Sequence, residues 1–248
     1  MKKKFLTALL IAATLCLSAC SDEEVFTNPD ELSGQNEEAV VVEEPVASED
    51  VETISVDDEQ AENGSIRQRG VAGYVDGSIY RNEFFGIQYS PAMGYAFLSA
   101  DDIEKIGNLS SELLDDESIK ESLESGQTVI DFLLTDVLMQ NSVTCTLGKM
   151  ADDSFTTEEI EARIDELVPV LTQVYESKGF ENLICEHSEI TFLEKETPCI
   201  SISGSFSGTD IKMVQIFLVK DGYSATITVQ ADTDEKISTL TSVFSNLE

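Results

Sequence analysis

Basic residues are scarce in this 248-residue sequence: 15 Lys and Arg stand against 48 Asp and Glu, a formal net charge of -33. Binding nucleic-acid phosphates or anionic lipid headgroups depends on clustered Lys and Arg, so a field of this sign excludes nucleic acid as a partner. Histidine is nearly absent, with His187 alone, and there is no C-x-x-C pair, so no zinc ligand set can be assembled from spacing. Neither G-x-G-x-x-G nor G-x-x-x-x-G-K-[ST] occurs, which removes the phosphate-cradling loops. Long hydrophobic runs are missing too. The one extended apolar stretch, Phe5 to Leu17, has 13 residues, where a permanent span needs roughly 20.

What is present begins at that stretch. Lys2, Lys3 and Lys4 precede it and Leu17-Ser18-Ala19-Cys20 follows it, the order of an export signal. Leu17-Ser18-Ala19-Cys20 resembles the lipobox of bacterial lipoproteins. The resemblance implies that Cys20 carries diacylglycerol and that residues 1–19 are a signal peptide removed ahead of it. Two or more acyl chains anchor stably where one is marginal, at roughly 0.8 kcal/mol per buried methylene. The expectation is an extracytoplasmic lipoprotein of the cell envelope, membrane-anchored through Cys20 without spanning. Once Cys16 and Cys20 are set aside, Cys145, Cys185 and Cys199 remain; an odd number cannot all pair within the chain, and a domain of this length can bury a core without staples.

Residues 20–70 are expected to be the lipidated cysteine and a disordered acidic tether. From Ser21 to Ser65 there are 16 Asp or Glu and no Lys or Arg, too little apolar area to offset ordering entropy and enough like charge to favour expansion. Residues 71–248 are the folded domain. Ser78 to Asn82 and Gly86 to Ser90 predict an early hairpin, and Ser99 to Asp102 a helix cap. Thr128 to Leu138 and Ser142 to Lys149 read as two strands. A capping box, Thr156 with Glu159, opens a helix from Thr157 to Lys178, with a kink at Pro169 and a stop at Gly179. Glu181 to Leu193, Pro198 to Ser207, Ile211 to Lys220 and Tyr223 to Gln230 then form an antiparallel meander. Asp232 and Glu235 cap a last helix to Leu247. Ile211 to Val219 is apolar on both faces, so that strand lies inside a sheet covered on both sides. The fold class is α+β, a three-layer α/β/α sandwich around a mostly antiparallel sheet.

Tyr80-x-Asn82-x-x-x-Gly86 followed by Pro91, Gly94, Tyr95 and Phe97 resembles the opening of PsbP-like lipoproteins, in which a Y-x-N-x-x-x-G hairpin leads into a P-x-G-W-x-F turn. Tyr95 stands at the tryptophan position, with one extra residue before Gly94. The resemblance extends over Val71 to Glu248 and implies a PsbP-like domain. That fold is shared by an extrinsic photosystem II subunit and a Ran-binding nuclear import factor, both of which bind proteins rather than catalyse. It also implies a Gram-positive cell and the outer face of the cytoplasmic membrane.

Candidate chemistry is thin. Cys185 and His187 share one strand face at i, i+2, but neighbours on a strand point in parallel and spacing supplies no third group. Asp101-Asp102, Asp115-Asp116-Glu117 and Asp152-Asp153 could offer calcium oxygen ligands, yet none sits in a D-x-D-x-D-G loop. No catalytic, cofactor or metal residue is therefore assigned. The expected function is a non-enzymatic binding or accessory module with an envelope protein partner. The alternatives are an extracytoplasmic enzyme with a site built from sequence-distant carboxylates, and a weak calcium-binding surface protein.

Overall fold

The computed structural model of the chain describes residues 70–99, 102–103 and 116–247; Cys20, the signal segment and the tether to residue 69 lie outside the described residues. Three short strands come first, β1 (Tyr74–Asp76), β2 (Ile79–Asn82) and β3 (Ile87–Tyr89), paired antiparallel in that order. The expected hairpin is β2–β3. Its turn is set by Asn82, whose Oδ1 accepts from Phe85 N at 2.9 Å while Gly86 N donates to Asn82 O at 2.9 Å. Gly86 takes φ +71°, a left-handed conformation open to glycine, so the Asn82-x-x-x-Gly86 spacing is dictated by backbone geometry. β4 (Tyr95–Phe97) follows a tight turn through Gly94. Asp102 N then donates to Ser99 Oγ at 3.2 Å, the expected cap. The remainder of that segment, 104–115, lies outside the described residues.

After α1 (Asp116–Glu124) come β5 (Val129–Asp136) and β6 (Ser142–Lys149). The Thr156/Glu159 capping box opens α2 (Thr157–Glu161) with both reciprocal bonds made, at 3.3 and 3.0 Å. The single kinked helix expected to Lys178 is instead two helices. α2 ends at Ala162–Arg163, and α3 (Ile164–Ser177) continues through Pro169. The proline is tolerated because it points to solvent, and the carbonyl that its missing amide would have served belongs to exposed Asp165. α3 ends in a Schellman motif: Phe180 N donates to Tyr175 O and Gly179 N to Glu176 O, with the Tyr175 and Phe180 rings 5.3 Å apart.

The meander is β7 (Glu181–Phe192), β8 (Lys195–Phe206), β9 (Thr209–Lys220) and β10 (Tyr223–Ala231). Its turns are Leu193-Glu194, Ser207-Gly208 and Asp221-Gly222, every one of the six residues at positive φ. Two-residue turns of that kind match the right-handed twist of the strands they join. The first connection is shorter than the expected Glu194 to Thr197 because β8 begins at Lys195 and contains Pro198. That proline faces Glu189 of β7, whereas pairing with β9 starts only at Ile200, so its missing N–H breaks no ladder.

Two expectations for the C-terminus fail. The cap of α4 (Asp234–Ser242) is Thr233, which accepts from Lys236 N at 3.3 Å; Asp232 instead holds the Lys236 ammonium at 2.7 Å. The helix stops at Ser242, and β11 (Phe244–Asn246) pairs with β3. A helical stripe and a short strand both bury Phe244. The open edge of β3, distant in sequence, decides between them.

The result is α+β. A seven-stranded antiparallel sheet runs β4-β5-β6-β10-β9-β8-β7, and a four-stranded one runs β1-β2-β3-β11. As its two-sided pattern requires, β9 is internal. Ile211, Met213 and Phe217 meet Ile164, Leu167, Leu171 and Tyr175 of α3, and buried Gln215 donates to the Tyr175 hydroxyl at 3.2 Å. Val214 and Ile216 face the other core, where Tyr80, Tyr89, Ile237, Leu240 and Phe244 cover the sheet. Of the three layers, one outer layer is helical and the other is part helix, part sheet. Among the described residues no helix is long and apolar enough to cross a membrane.

Candidate functional site

The most perturbed carboxylate is Asp131, and the sequence reading did not single it out. It interrupts the apolar run of β5 at a bulge between Ile130 and Phe132. The bulge turns its carboxylate onto the small sheet, where it accepts from Gly73 N at 2.9 and 3.1 Å, from Asn82 Nδ2 at 3.1 Å and from the Tyr80 hydroxyl. Burial raises its pKa to about 6, with the Tyr80, Gly73 and Asn82 hydrogen bonds pulling the other way. A Cβ on Gly73 would sit 2.4 Å from the Tyr80 ring, so only glycine lets the strand approach. A raised carboxylate can be a general acid when it faces a cleft. Asp131 faces three donors of its own chain. Tyr80 and Asn82, the residues behind the motif resemblance, thus serve a latch that joins the two sheets.

Cys185 and His187 do lie on the α3 face of β7, but at different levels. Thr172 hydrogen-bonds the Cys185 thiol, which burial shifts upward, while His187 Nδ1 lies 3.0 Å from Asp165 Oδ1. Thr172 and Asp165 are seven residues apart on α3, about 10 Å along the axis. The structure supplies the carboxylate that spacing could not, yet it does not bring thiol and imidazole together, and a thiol pushed upward is a poor nucleophile at neutral pH. No disulfide joins Cys145, Cys185 and Cys199; burial lifts Cys199 to about 11.

Of the acidic doublets, Asp102, Asp152 and Asp153 are engaged locally. Asp152 accepts from Ser154 N and Oγ at 3.0 and 2.7 Å, Asp153 pairs with Lys149 at 3.3 Å, and Asp102 accepts from Ser99 Oγ at 2.6 Å. Asp101, Asp115 and the side chains of Asp116 and Glu117 lie outside the described residues. Among the described residues no group of three His, Cys, Asp or Glu side chains is arranged to hold a metal ion.

A different feature occupies the end of the large sheet where β5, β8 and β10 finish. Val137, Leu138 and Met139, in the β5–β6 turn, are 89, 72 and 60 % exposed. Met93, in the turn before β4, is fully exposed. Tyr95 pairs with Asp136, so the register puts both turns at this same end. Beside them opens a cavity of about 360 Å³, lined by Met139, Phe206, Ile211, Gln230, Asp210 and Asp232 among others. Apolar and neutral side chains make most of its wall. Lys236 holds Asp232 below the usual carboxylate range, which suits a fixed charge rather than an acid catalyst. Sequence reasoning missed this surface by extending the strand to Leu138. The signal available was three consecutive apolar residues directly before Gln140-Asn141, where turn-forming residues were due.

No family model matches the chain, and no curated protein sequence matches it significantly. Among solved structures it is similar to the cyanobacterial PsbP protein CyanoP of Synechocystis sp. PCC 6803, at 9% identity and a TM-score of 0.39, covering 74% of this chain and 96% of that one. It is also similar to LpqN of Mycobacterium tuberculosis, a protein involved in cell envelope biogenesis, at 11% identity and a TM-score of 0.34, covering 64% of this chain and 82% of that one. Neither reaches a TM-score of 0.5. The meaning of the exposed end must therefore come from its own residues.

Proposed function

We propose that the protein is an extracytoplasmic lipoprotein, anchored through Cys20, whose folded domain is a non-enzymatic binding module for another envelope protein. The observation that carries this reading is the exposed apolar end: Val137, Leu138 and Met139 stand in solvent in one turn whose last residue lines the cavity, and Met93 is exposed at the same end of the sheet. Single exposed apolar residues are ordinary, but three consecutive ones in a turn that borders a cavity make a surface suited to a partner. The electrostatics favour binding over turnover, because the raised carboxylate is enclosed in the Asp131 latch and away from the cavity.

The anchor and the binding role are tested separately. Cys20→Ala is expected to remove the lipid mass and release the protein from the membrane fraction; unchanged fractionation refutes the anchor. Leu138→Ser and Met139→Ser together are expected to abolish partner crosslinking on intact cells while leaving thermal unfolding unchanged. Undiminished crosslinking refutes the exposed end as the binding surface.

A further inference from the structure

We infer that this end of the sheet docks a protein segment that is apolar at its centre and basic at its border. The inference rests on the binding-module reading and adds the chemistry of the partner.

The apolar turn is held in place. Asp136 Oδ1 accepts from Gln140 N at 2.9 Å, Met139 N donates to Asp136 O at 3.1 Å, and Asp136 N donates to Asn141 O at 3.1 Å. Asn141 is buried, donates to Asp136 and accepts from Asp232 N at 3.2 Å, so the turn is tied to the end of β10 and the cavity wall. Hydrogen bonds of this kind fix the backbone while leaving the three apolar side chains outside. A surface ordered before contact loses less entropy on binding than a floppy one. Met139 also takes φ +55°, a left-handed conformation disfavoured for a non-glycine residue. A glycine or asparagine there would relieve the strain and the exposure alike. Asn182, Leu193, Glu194, Ser207 and Asp221 share that backbone region, so it is the exposure of the Met139 side chain, and not its φ, that points to contact.

Charge then selects the occupant. Asp210 and Asp232 line the cavity with Met139 and Asp136 holds the apolar turn, while the lysines near them are already engaged, Lys212 with Asp234 and Lys236 with Asp232. The surplus is negative. An anionic bilayer is repelled by it, and so is the same end of a second copy. A protein segment with Lys or Arg flanking an apolar knob is instead drawn in by the field and fills the cavity beside Phe206 and Ile211.

The test uses the full-length lipoprotein on intact cells, with a photoreactive phenylalanine analogue replacing Val137, followed by sequencing of the crosslinked peptide. The expected adduct is a peptide of one other protein with basic residues around an apolar centre. Asp210→Lys with Asp232→Asn should reduce its yield at least tenfold, whereas Glu121→Lys with Glu186→Gln, an equal change of charge on other faces, should leave it intact. Circular dichroism melting of each variant confirms folding. A lipid adduct, an adduct with the protein's own peptide, an acidic or uncharged partner peptide, or a yield that survives the first pair of substitutions overturns the basic-segment inference while the exposed end remains a contact surface. No adduct from residue 137, nor from the same probe at residues 93 and 138, overturns both.

Discussion

The two ends of the large sheet treat exposed side chains in opposite ways. At the end near Gly222, apolar surface is covered and charge is paired. The Lys149 ammonium lies 4.2 Å from the Tyr223 ring centre, 3.3 Å from Asp153 and 3.9 Å from Glu124, and the Tyr223 hydroxyl donates to Glu124 at 2.7 Å. Phe84 packs edge-on to Tyr223, with Lys220 5.3 Å from its ring centre. At the far end Val137, Leu138 and Met139 have no such cover. Both ends are built from hairpin turns of one antiparallel sheet, so geometry does not explain the difference. The covered end contributes to stability, and the open end is the one proposed above as a contact surface.

Substitutions can break this contrast, and the largest effect is expected at the latch that joins the two sheets. Asp131→Ala removes the acceptor for Gly73 N and the Tyr80 hydroxyl, leaving two donors short of a partner, while Asn82 Nδ2 keeps Val71 O and the Tyr80 hydroxyl oxygen as acceptors. At roughly 1 to 3 kcal/mol for each unsatisfied group, partly relieved by water, a loss of about 3 kcal/mol in urea unfolding is expected.

Asp131 also gives a pH signature. Its folded pKa of about 6 lies above the ordinary 3.8, so the folded state holds the additional proton. Its stabilising contribution is complete below about pH 4 and disappears as pH rises through about 6, a change of about 3 kcal/mol for this group. The comparison to make is the wild type against Asp131→Asn. The wild type should lose stability relative to the variant across that window; parallel curves would show that the carboxylate does not titrate there. Tyr80→Phe should push the Asp131 pKa higher still, measured by carboxyl NMR, because the Tyr80 hydrogen bond favours the ionised form.

A smaller effect is expected at the covered end. Lys149→Ala loses a cation–aromatic contact and two partly exposed ion pairs, together about 1 kcal/mol, and its cost should shrink in high salt. Smallest is Leu138→Ser at the open end, expected within about 0.5 kcal/mol of wild type. A cost of several kcal/mol there would mean that the exposed turn is structural, and the contrast between the ends would fail.

Periodicity made much of this architecture legible. The meander strands, the Thr156 capping box, the Gly179 stop and the internal position of β9 all follow from alternation, capping chemistry and glycine's access to positive φ. The N-terminal pattern ending at Cys20 likewise stands in the sequence as an expectation of export and lipidation. What failed to show were the features set by remote partners. Phe244 suits a helical stripe as well as a strand, and only the unpaired edge of β3 selects the strand. Asp131 gave no signal within the strand reading of Thr128 to Leu138, because its role comes from the bulge that turns it toward Gly73, Tyr80 and Asn82. Val137 and Leu138 read as the end of a strand because apolar residues ordinarily mark burial. Local sequence encodes which conformations a segment prefers and which face it would bury. Whether that face finds a neighbour, and which side chains are left without one, depends on residues brought together from across the chain, and here that was decided by the packing of the two sheets.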